Sequence, residues 1–139
     1  HLVFRTNTFT AADIKSIRWA KKHLSSNGTI VIFPEGTRNG GSLIQGKQGV
    51  ARLIQMTKST ILPVGLTGTE GFKTVFRAFQ PTGKITVNIG TPFSLPSLEG
   101  NITDDLMKSM TDMIMMRIAE LLPEEYRGVY SLNKKNRAN

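Results

Sequence analysis

The sequence has no cysteine among its 139 residues. Without cysteine the chain forms no disulfide, holds no metal through a thiolate and has no cysteine nucleophile. Long apolar stretches are also missing, since no run approaches the roughly 18 residues that a membrane-spanning helix needs. We therefore expect any membrane contact of this segment to be peripheral.

Acidic residues are scarce relative to basic ones. The chain has 10 Asp and Glu against 18 Lys and Arg, which gives a formal net charge of +8. This balance favours anionic partners, namely phospholipid headgroups, phosphorylated small molecules or nucleic acid. One Trp and two Tyr offer little surface for stacking bases, and no nucleic-acid recognition motif is present. We expect a phosphate or lipid partner and no nucleic acid.

Helical spacing of apolar residues predicts three helices. The first is capped by Thr10 or Asp13 and runs to about Leu24, where Asn27 and Gly28 stop it. The others span residues 47–57 and 103–122. The basic side chains on the outward face of the first helix are Lys15, Arg18, Lys21 and Lys22. Strands are expected between these helices, so the pattern predicts an α/β domain.

Short runs rich in β-branched residues predict the strands. Residues 29–33 form a buried strand, and residues 84–89 alternate like a strand with one wet face. Residues 61–66 form another, which must lie at an edge, bulge or end at Pro63, because proline lacks a ladder donor. Residues 2–4 are a further short strand.

The turn after the first buried strand carries two charged residues. Pro34 presets φ for the second turn position, and Gly36 suits the fourth position of a type I turn. Glu35 and Arg38 lie on or beside this turn, where α/β proteins present groups to ligands. On spacing alone, an ordinary strand-ending turn with two solvated charges is an equally good interpretation.

The literal string at this turn favours the functional interpretation. Residues 33–38, Phe-Pro-Glu-Gly-Thr-Arg, resemble the third signature block of the glycerophospholipid acyltransferases. Residues 61–64 resemble the fourth block, and residues 47–51 resemble the start of the helix between them. Residues 2–5 are similar to the end of the second block, so the resemblance covers most of residues 1–130.

The resemblance implies a fold and a reaction. The implied fold is a glycerol-3-phosphate acyltransferase-like α/β domain over residues 1–130, with a mixed sheet flanked by helices, followed by a disordered basic tail at 131–139. The implied reaction moves a fatty acyl group from a coenzyme A or acyl-carrier-protein thioester to a lysophosphatidate-like glycerol phosphate. It belongs to phospholipid synthesis at the cytoplasmic face of an anionic membrane, with the protein expected to be peripheral or anchored through a region that precedes His1. No metal and no cofactor beyond the acyl thioester are implied.

The resemblance also assigns residues to the site. The implied acceptor-binding residues are Glu35, Gly36, Thr37 and Arg38. Arginine offers a planar fork of donors for a phosphate, and a carboxylate accepts hydrogen bonds from glycerol hydroxyls or orders the arginine. Arg5 is either a second phosphate contact or a solvated strand-end arginine. Pro63 and Val64 are implied on the acyl-donor side.

The family's catalytic pair, a histidine followed five residues later by an aspartate, is missing from this sequence. The residue five places after His1 is Thr6, and five places after His23 is Gly28. Because acyl transfer to a hydroxyl needs an oriented histidine base, we expect the pair to precede His1 in a longer protein. The chain is then the C-terminal part of the domain, the acceptor-binding half, inactive alone. The alternative is a noncatalytic basic module that binds anionic membrane lipids.

Overall fold

The structure is a computed structural model of the chain, and it describes residues 11–37, 41–68, 84–98, 100 and 102–131. Side chains of the first helix are described from Lys15 onward. The strand predicted at residues 2–4 lies outside these residues, as does the basic tail after Ser131. The domain boundary at residue 130 stays a prediction.

The described residues contain three α-helices, close to where helical spacing predicts them. They are α1 (Ala11–Ser25), α2 (Gly49–Thr57) and α3 (Asp104–Ala119). Thr103 caps α3 by accepting a hydrogen bond from the backbone N–H of Leu106 at 3.3 Å. Two short 3₁₀ turns follow, Glu124–Tyr126 and Gly128–Tyr130.

Asn27 and Gly28 end α1 as predicted. The N–H groups of Asn27 and Gly28 donate to the carbonyls of Leu24 and His23, at 3.1 and 2.9 Å. This is the Schellman arrangement, in which a left-handed residue reverses the chain and satisfies the last carbonyls of the helix. Asn27 is that residue, with φ of 60°.

Helix α2 packs between α1 and α3 and forms the core with both. Towards α1, Leu53 contacts Ile17 and Ala20. Towards α3, α2 contributes to a cluster of buried residues, namely Val50, Ala51, Ile54, Met107, Met110 and Ile114. Within the described residues, no helix has both the length and the apolar character needed to cross a bilayer.

The described sheet is one antiparallel pair, β1 (Val64–Thr67) with β2 (Thr86–Ile89). Strand β1 begins immediately after Pro63, while an isolated bridge joins Ile61 to Phe93 on the other side of the proline. The strand predicted over residues 61–66 therefore forms only from Val64 onward, after the proline. The helices and this sheet confirm the α/β class, and the mixed character of the sheet stays a prediction.

One expectation about strands is wrong. Residues 29–33 are not a buried strand: no described residue pairs with them in a ladder, and Val31 and Phe33 are 75% and 46% exposed. Ile30 and Ile32 pack against the core. The segment is therefore an extended connection that buries alternate side chains, because α1 and α2 cover one side of it.

Strand β2 alternates as predicted, but its apolar side chains face solvent. Val87 and Ile89 are 53% and 65% exposed. The inward side chains are polar, and Asn88 donates from Nδ2 to the carbonyl of Leu121 at 2.8 Å. The reason lies just after α3, where the side chains of Leu121 and Leu122 pack so near the inner face that a β-carbon on Gly65 would fall 2.9 Å from Cδ2 of Leu122. The inner face therefore takes glycine and asparagine.

Candidate functional site

The site begins at the turn that follows residues 29–33. The N–H of Gly36 donates to the carbonyl of Phe33 at 3.0 Å and closes a β-turn around Pro34 and Glu35. Gly36 is buried and has φ of 67°, a left-handed conformation that favours glycine. The turn is therefore confirmed, with glycine in the fourth position where the sequence predicts it.

Glu35 is held by a loop further along the chain, residues 43–47, which we call the site loop. The Oε2 atom of Glu35 accepts a hydrogen bond from the N–H of Ile44 at 2.9 Å. The N–H of Lys47 donates to the carbonyl of Pro34 at 2.8 Å. A backbone N–H bonded to a carboxylate is a charge-assisted hydrogen bond, which fixes the orientation of the carboxyl group.

The other side of the site loop contacts the C-terminal segment, residues 126–130. Leu43 donates to the carbonyl of Tyr126 at 2.8 Å and accepts from the N–H of Val129 at 3.1 Å. The N–H of Gly46 donates to the hydroxyl of Tyr130 at 3.1 Å. The site loop therefore lies between the Glu35 turn and the C-terminal segment and is bonded to both.

The hydroxyl of Tyr130 continues this network to α3. It donates to Oδ1 of Asp112 at 2.9 Å. The pKa of Tyr130 is raised to about 12, chiefly by burial. The hydrogen bond from the Gly46 N–H lowers this pKa, whereas Asp112 and the negative charge of Glu35 raise it. The tyrosine is therefore neutral at physiological pH and works as a hydrogen-bond donor and acceptor.

The structure brings three of the predicted site residues together. Glu35 is half-buried, Gly36 is buried and Thr37 is exposed, all on one turn. Arg38 and Arg5 lie outside the described residues. Within those residues, no three acidic or histidine side chains group closely enough to hold a metal ion.

The two residues predicted on the acyl-donor side take different positions. Pro63 is buried, and its carbonyl accepts from the N–H of Gly90 at 3.0 Å. Val64 lies opposite Ile89 in the sheet and is 37% exposed. Val64 therefore lies on the solvent-facing apolar side of the sheet. Pro63 is buried and stabilises the sheet through the hydrogen bond that its carbonyl accepts.

Helix α1 presents a second charged surface, which we call the α1 face. Its exposed basic residues are Lys15, Arg18, Lys21 and Lys22. Trp19 is 52% exposed, and its ring stacks on that of His23 with centroids 5.1 Å apart and planes at 6°. His23 is thus an exposed residue beside an indole.

Comparison with known proteins identifies the family of this chain. The family model described as Acyltransferase matches residues 3–67, which include the Glu35 turn, the site loop and α2. The chain belongs to this acyltransferase family, as the resemblance of residues 33–38 and 61–64 indicates.

Two curated relatives carry a more particular name. The chain is 31% identical over 128 residues to a 1-acyl-sn-glycerol-3-phosphate acyltransferase of Limnanthes alba, covering 89% of this chain and 43% of that protein. It is 28% identical over 106 residues to a 1-acyl-sn-glycerol-3-phosphate acyltransferase of Bacillus subtilis (strain 168), covering 76% of this chain and 51% of that protein. The chain thus spans about half the length of these relatives or less. No solved structure matches it significantly.

Sequence reasoning did not find the residues that hold Glu35. Gly46 and Tyr130 are 84 residues apart, and Tyr130 and Asp112 are 18 apart. No spacing rule links positions so distant. The one available signal is chemical: a carboxylate at the end of a turn needs hydrogen-bond donors.

Proposed function

We propose that this chain is the acceptor-binding part of an acyltransferase of phospholipid synthesis. In the proposed reaction the acceptor is a lysophosphatidate-like glycerol phosphate, and the donor is an acyl thioester of coenzyme A or an acyl carrier protein. The hydroxyl oxygen forms an ester bond to the acyl carbon, the thioester bond breaks, and the hydroxyl proton leaves through a general base to the departing thiol. No residue of this chain is assigned as that base.

The Glu35 turn is the observation that supports this function most directly. Its carboxylate is oriented by the N–H of Ile44 at 2.9 Å, on residues that match the acyltransferase family model. An oriented carboxylate beside a buried, tightly turned glycine suits recognition of hydroxyl groups, because carboxylates accept strong charge-assisted hydrogen bonds. Arg38 follows Thr37 directly in the sequence. We assign its guanidinium to the phosphate, with Arg5 as a second contact.

The remaining assignments follow from the same reaction. Pro63 and Val64 belong to the acyl-donor side, where the solvent-facing apolar surface of the sheet suits an acyl chain. The net charge of +8 suits an anionic membrane surface. The proposed location is the cytoplasmic face of a membrane, with no metal or organic cofactor.

Binding of glycerol 3-phosphate to the chain tests the acceptor site without requiring turnover. We expect Arg38→Ala and Glu35→Ala each to weaken binding, measured by titration calorimetry, by about ten-fold, since a charge-assisted hydrogen bond contributes about 1.5–3 kcal/mol. Arg18→Ala is the matched control, because it removes the same charge from the exposed α1 face. Equal affinities of Arg38→Ala, Glu35→Ala and the unmodified chain would contradict the assignment.

The α1 face supports a second candidate function, a noncatalytic module that binds anionic lipid surfaces. Its cations attract phosphate headgroups, and an indole beside them suits the interfacial layer of a bilayer. The exposure of Trp19 at 52%, on the same helix as the four exposed basic residues of the α1 face, is the observation that favours this candidate.

Vesicle binding distinguishes the two candidates. The lipid-module interpretation expects salt-dependent sedimentation with phosphatidylglycerol vesicles, weakened by Lys15→Ala and Lys22→Ala and unchanged by Arg38→Ala. It also expects the emission of the single Trp to shift to shorter wavelength on binding. If neither lysine substitution weakens vesicle binding, the α1 face is not the lipid-binding surface. This conclusion does not depend on the calorimetry.

A further inference from the structure

Hydrogen bonds, together with the backbone of residues 44–46, connect α3 to the Glu35 carboxylate. Asp112 accepts from Tyr130, and Tyr130 accepts from Gly46. Ile44, the donor to Glu35, lies between Leu43 and Gly46, both of which are bonded to the C-terminal segment. The position of the Ile44 N–H is therefore fixed by hydrogen bonds of the residues before and after it in the sequence.

We propose that Tyr130 is a positioning residue for the acceptor site. Together with Asp112 it fixes the site loop, so that the Ile44 N–H orients the Glu35 carboxylate for the acceptor hydroxyl. This inference rests on the proposed function of Glu35. It adds a role for the C-terminal segment, which lies beyond the residues that the family model matches.

The close approach of the C-terminal segment to the site loop supports this role. Gly128 has φ of 51°, and a β-carbon there would overlap the carbonyl of Leu43. The carbonyl of Leu43 is also the acceptor for Val129 at 3.1 Å. A side chain at position 128 therefore separates the two segments, so contact between them depends on glycine.

Tyr130→Phe removes the hydroxyl and keeps the ring. Gly46 loses an acceptor and Asp112 loses a donor, while the hydrogen bonds of Leu43 to the C-terminal segment remain. We expect the affinity for glycerol 3-phosphate to fall about five-fold, the usual effect of one lost hydrogen bond. In a Glu35→Ala background, Tyr130→Phe should change the affinity no further, because the group that it positions is gone. An equal loss in both backgrounds would overturn the proposal.

Amide hydrogen exchange tests the positioning separately from ligand binding. In Tyr130→Phe we expect faster exchange at Ile44 and Gly46, whereas Asp112→Asn retains an acceptor oxygen for Tyr130 and should change them less. Unchanged exchange at Ile44 would overturn the proposal. If Glu35→Ala leaves the affinity unchanged, the proposed function fails, and the exchange rates alone decide whether Tyr130 fixes the loop.

Two glycine variants give an independent check. Gly128→Ala should speed exchange at Ile44 and weaken binding of glycerol 3-phosphate. Gly100→Ala is the matched control, since Gly100 has φ of 88° and nothing within 4 Å of a β-carbon. It carries the same kind of backbone strain without touching the site loop. Similar effects of both variants on Ile44 would argue for general destabilisation and against positioning.

Discussion

Glu35 accepts a hydrogen bond of 2.9 Å from the backbone N–H of Ile44, nine residues further along the chain. The carboxylate is therefore oriented by the backbone, and a backbone donor keeps its place more firmly than a long side chain does. A group fixed in this way loses little conformational entropy when a ligand binds. This pre-organisation is what the proposed acceptor site requires.

Substitution of Glu35 separates the loss of charge from the loss of the acceptor. Glu35→Ala leaves the Ile44 N–H without this partner and should lower the free energy of unfolding by about 1–2 kcal/mol. Glu35→Gln keeps an acceptor oxygen and should lower it by less than about 1 kcal/mol. Urea unfolding followed by circular dichroism measures both values. Equal losses in the two variants would show that the hydrogen bond to Ile44 contributes nothing to stability.

The end of α1 gives a second prediction. A β-carbon on Gly28 would fall 2.6 Å from the carbonyl of His23, which is backbone and has little room to move. Gly28→Ala should therefore lower the free energy of unfolding by about 1–3 kcal/mol. Gly49→Ala is the control, because nothing lies within 4 Å of its β-carbon, and it should cost nothing. If thermal unfolding showed Gly49→Ala to be less stable than Gly28→Ala, the explanation would be wrong.

Local rules predicted the parts of the fold that local chemistry controls. Asn27 and Gly28 end α1 because they satisfy its last carbonyls, and Pro63 breaks its strand because it has no N–H. Gly36 takes the fourth turn position because glycine readily adopts the left-handed conformation found there. In each case the residue type limits the backbone before any tertiary contact forms.

The parts that depend on distant neighbours were not predictable in this way. The alternation of residues 84–89 gives a strand but not which of its faces is covered, and the segment just after α3 decides that. For the same reason the turn predicts Glu35 as a site residue but says nothing about Tyr130. Tyr130 contacts the site loop at Gly46, and the two residues are 84 positions apart in the sequence.

The orientation of β2 gives a third prediction. Ile89 is 65% exposed, so Ile89→Thr should change the free energy of unfolding by no more than about 0.5 kcal/mol. Asn88→Val loses the donor to the carbonyl of Leu121 and should lower it by about 1–2 kcal/mol. Chemical unfolding of both variants checks the difference. A large loss from Ile89→Thr with none from Asn88→Val would mean that the apolar side of β2 faces inward.

Titration of Tyr130 gives the last prediction. Its pKa is raised from 10.0 to about 12, first by burial and then by Asp112 and Glu35. In a Tyr126→Phe variant, where Tyr130 is the remaining tyrosine, the phenolate absorbance should rise near pH 12, and Asp112→Asn should lower that midpoint. Between pH 10 and 12 the unfolded chain has lost the Tyr130 phenolic proton while the folded chain keeps it. The contribution of Tyr130 to stability is therefore fully present below pH 10 and falls as pH rises through this range. A midpoint near 10 in a chain that circular dichroism shows to be folded would mean that the Tyr130 hydroxyl is not held between Gly46 and Asp112.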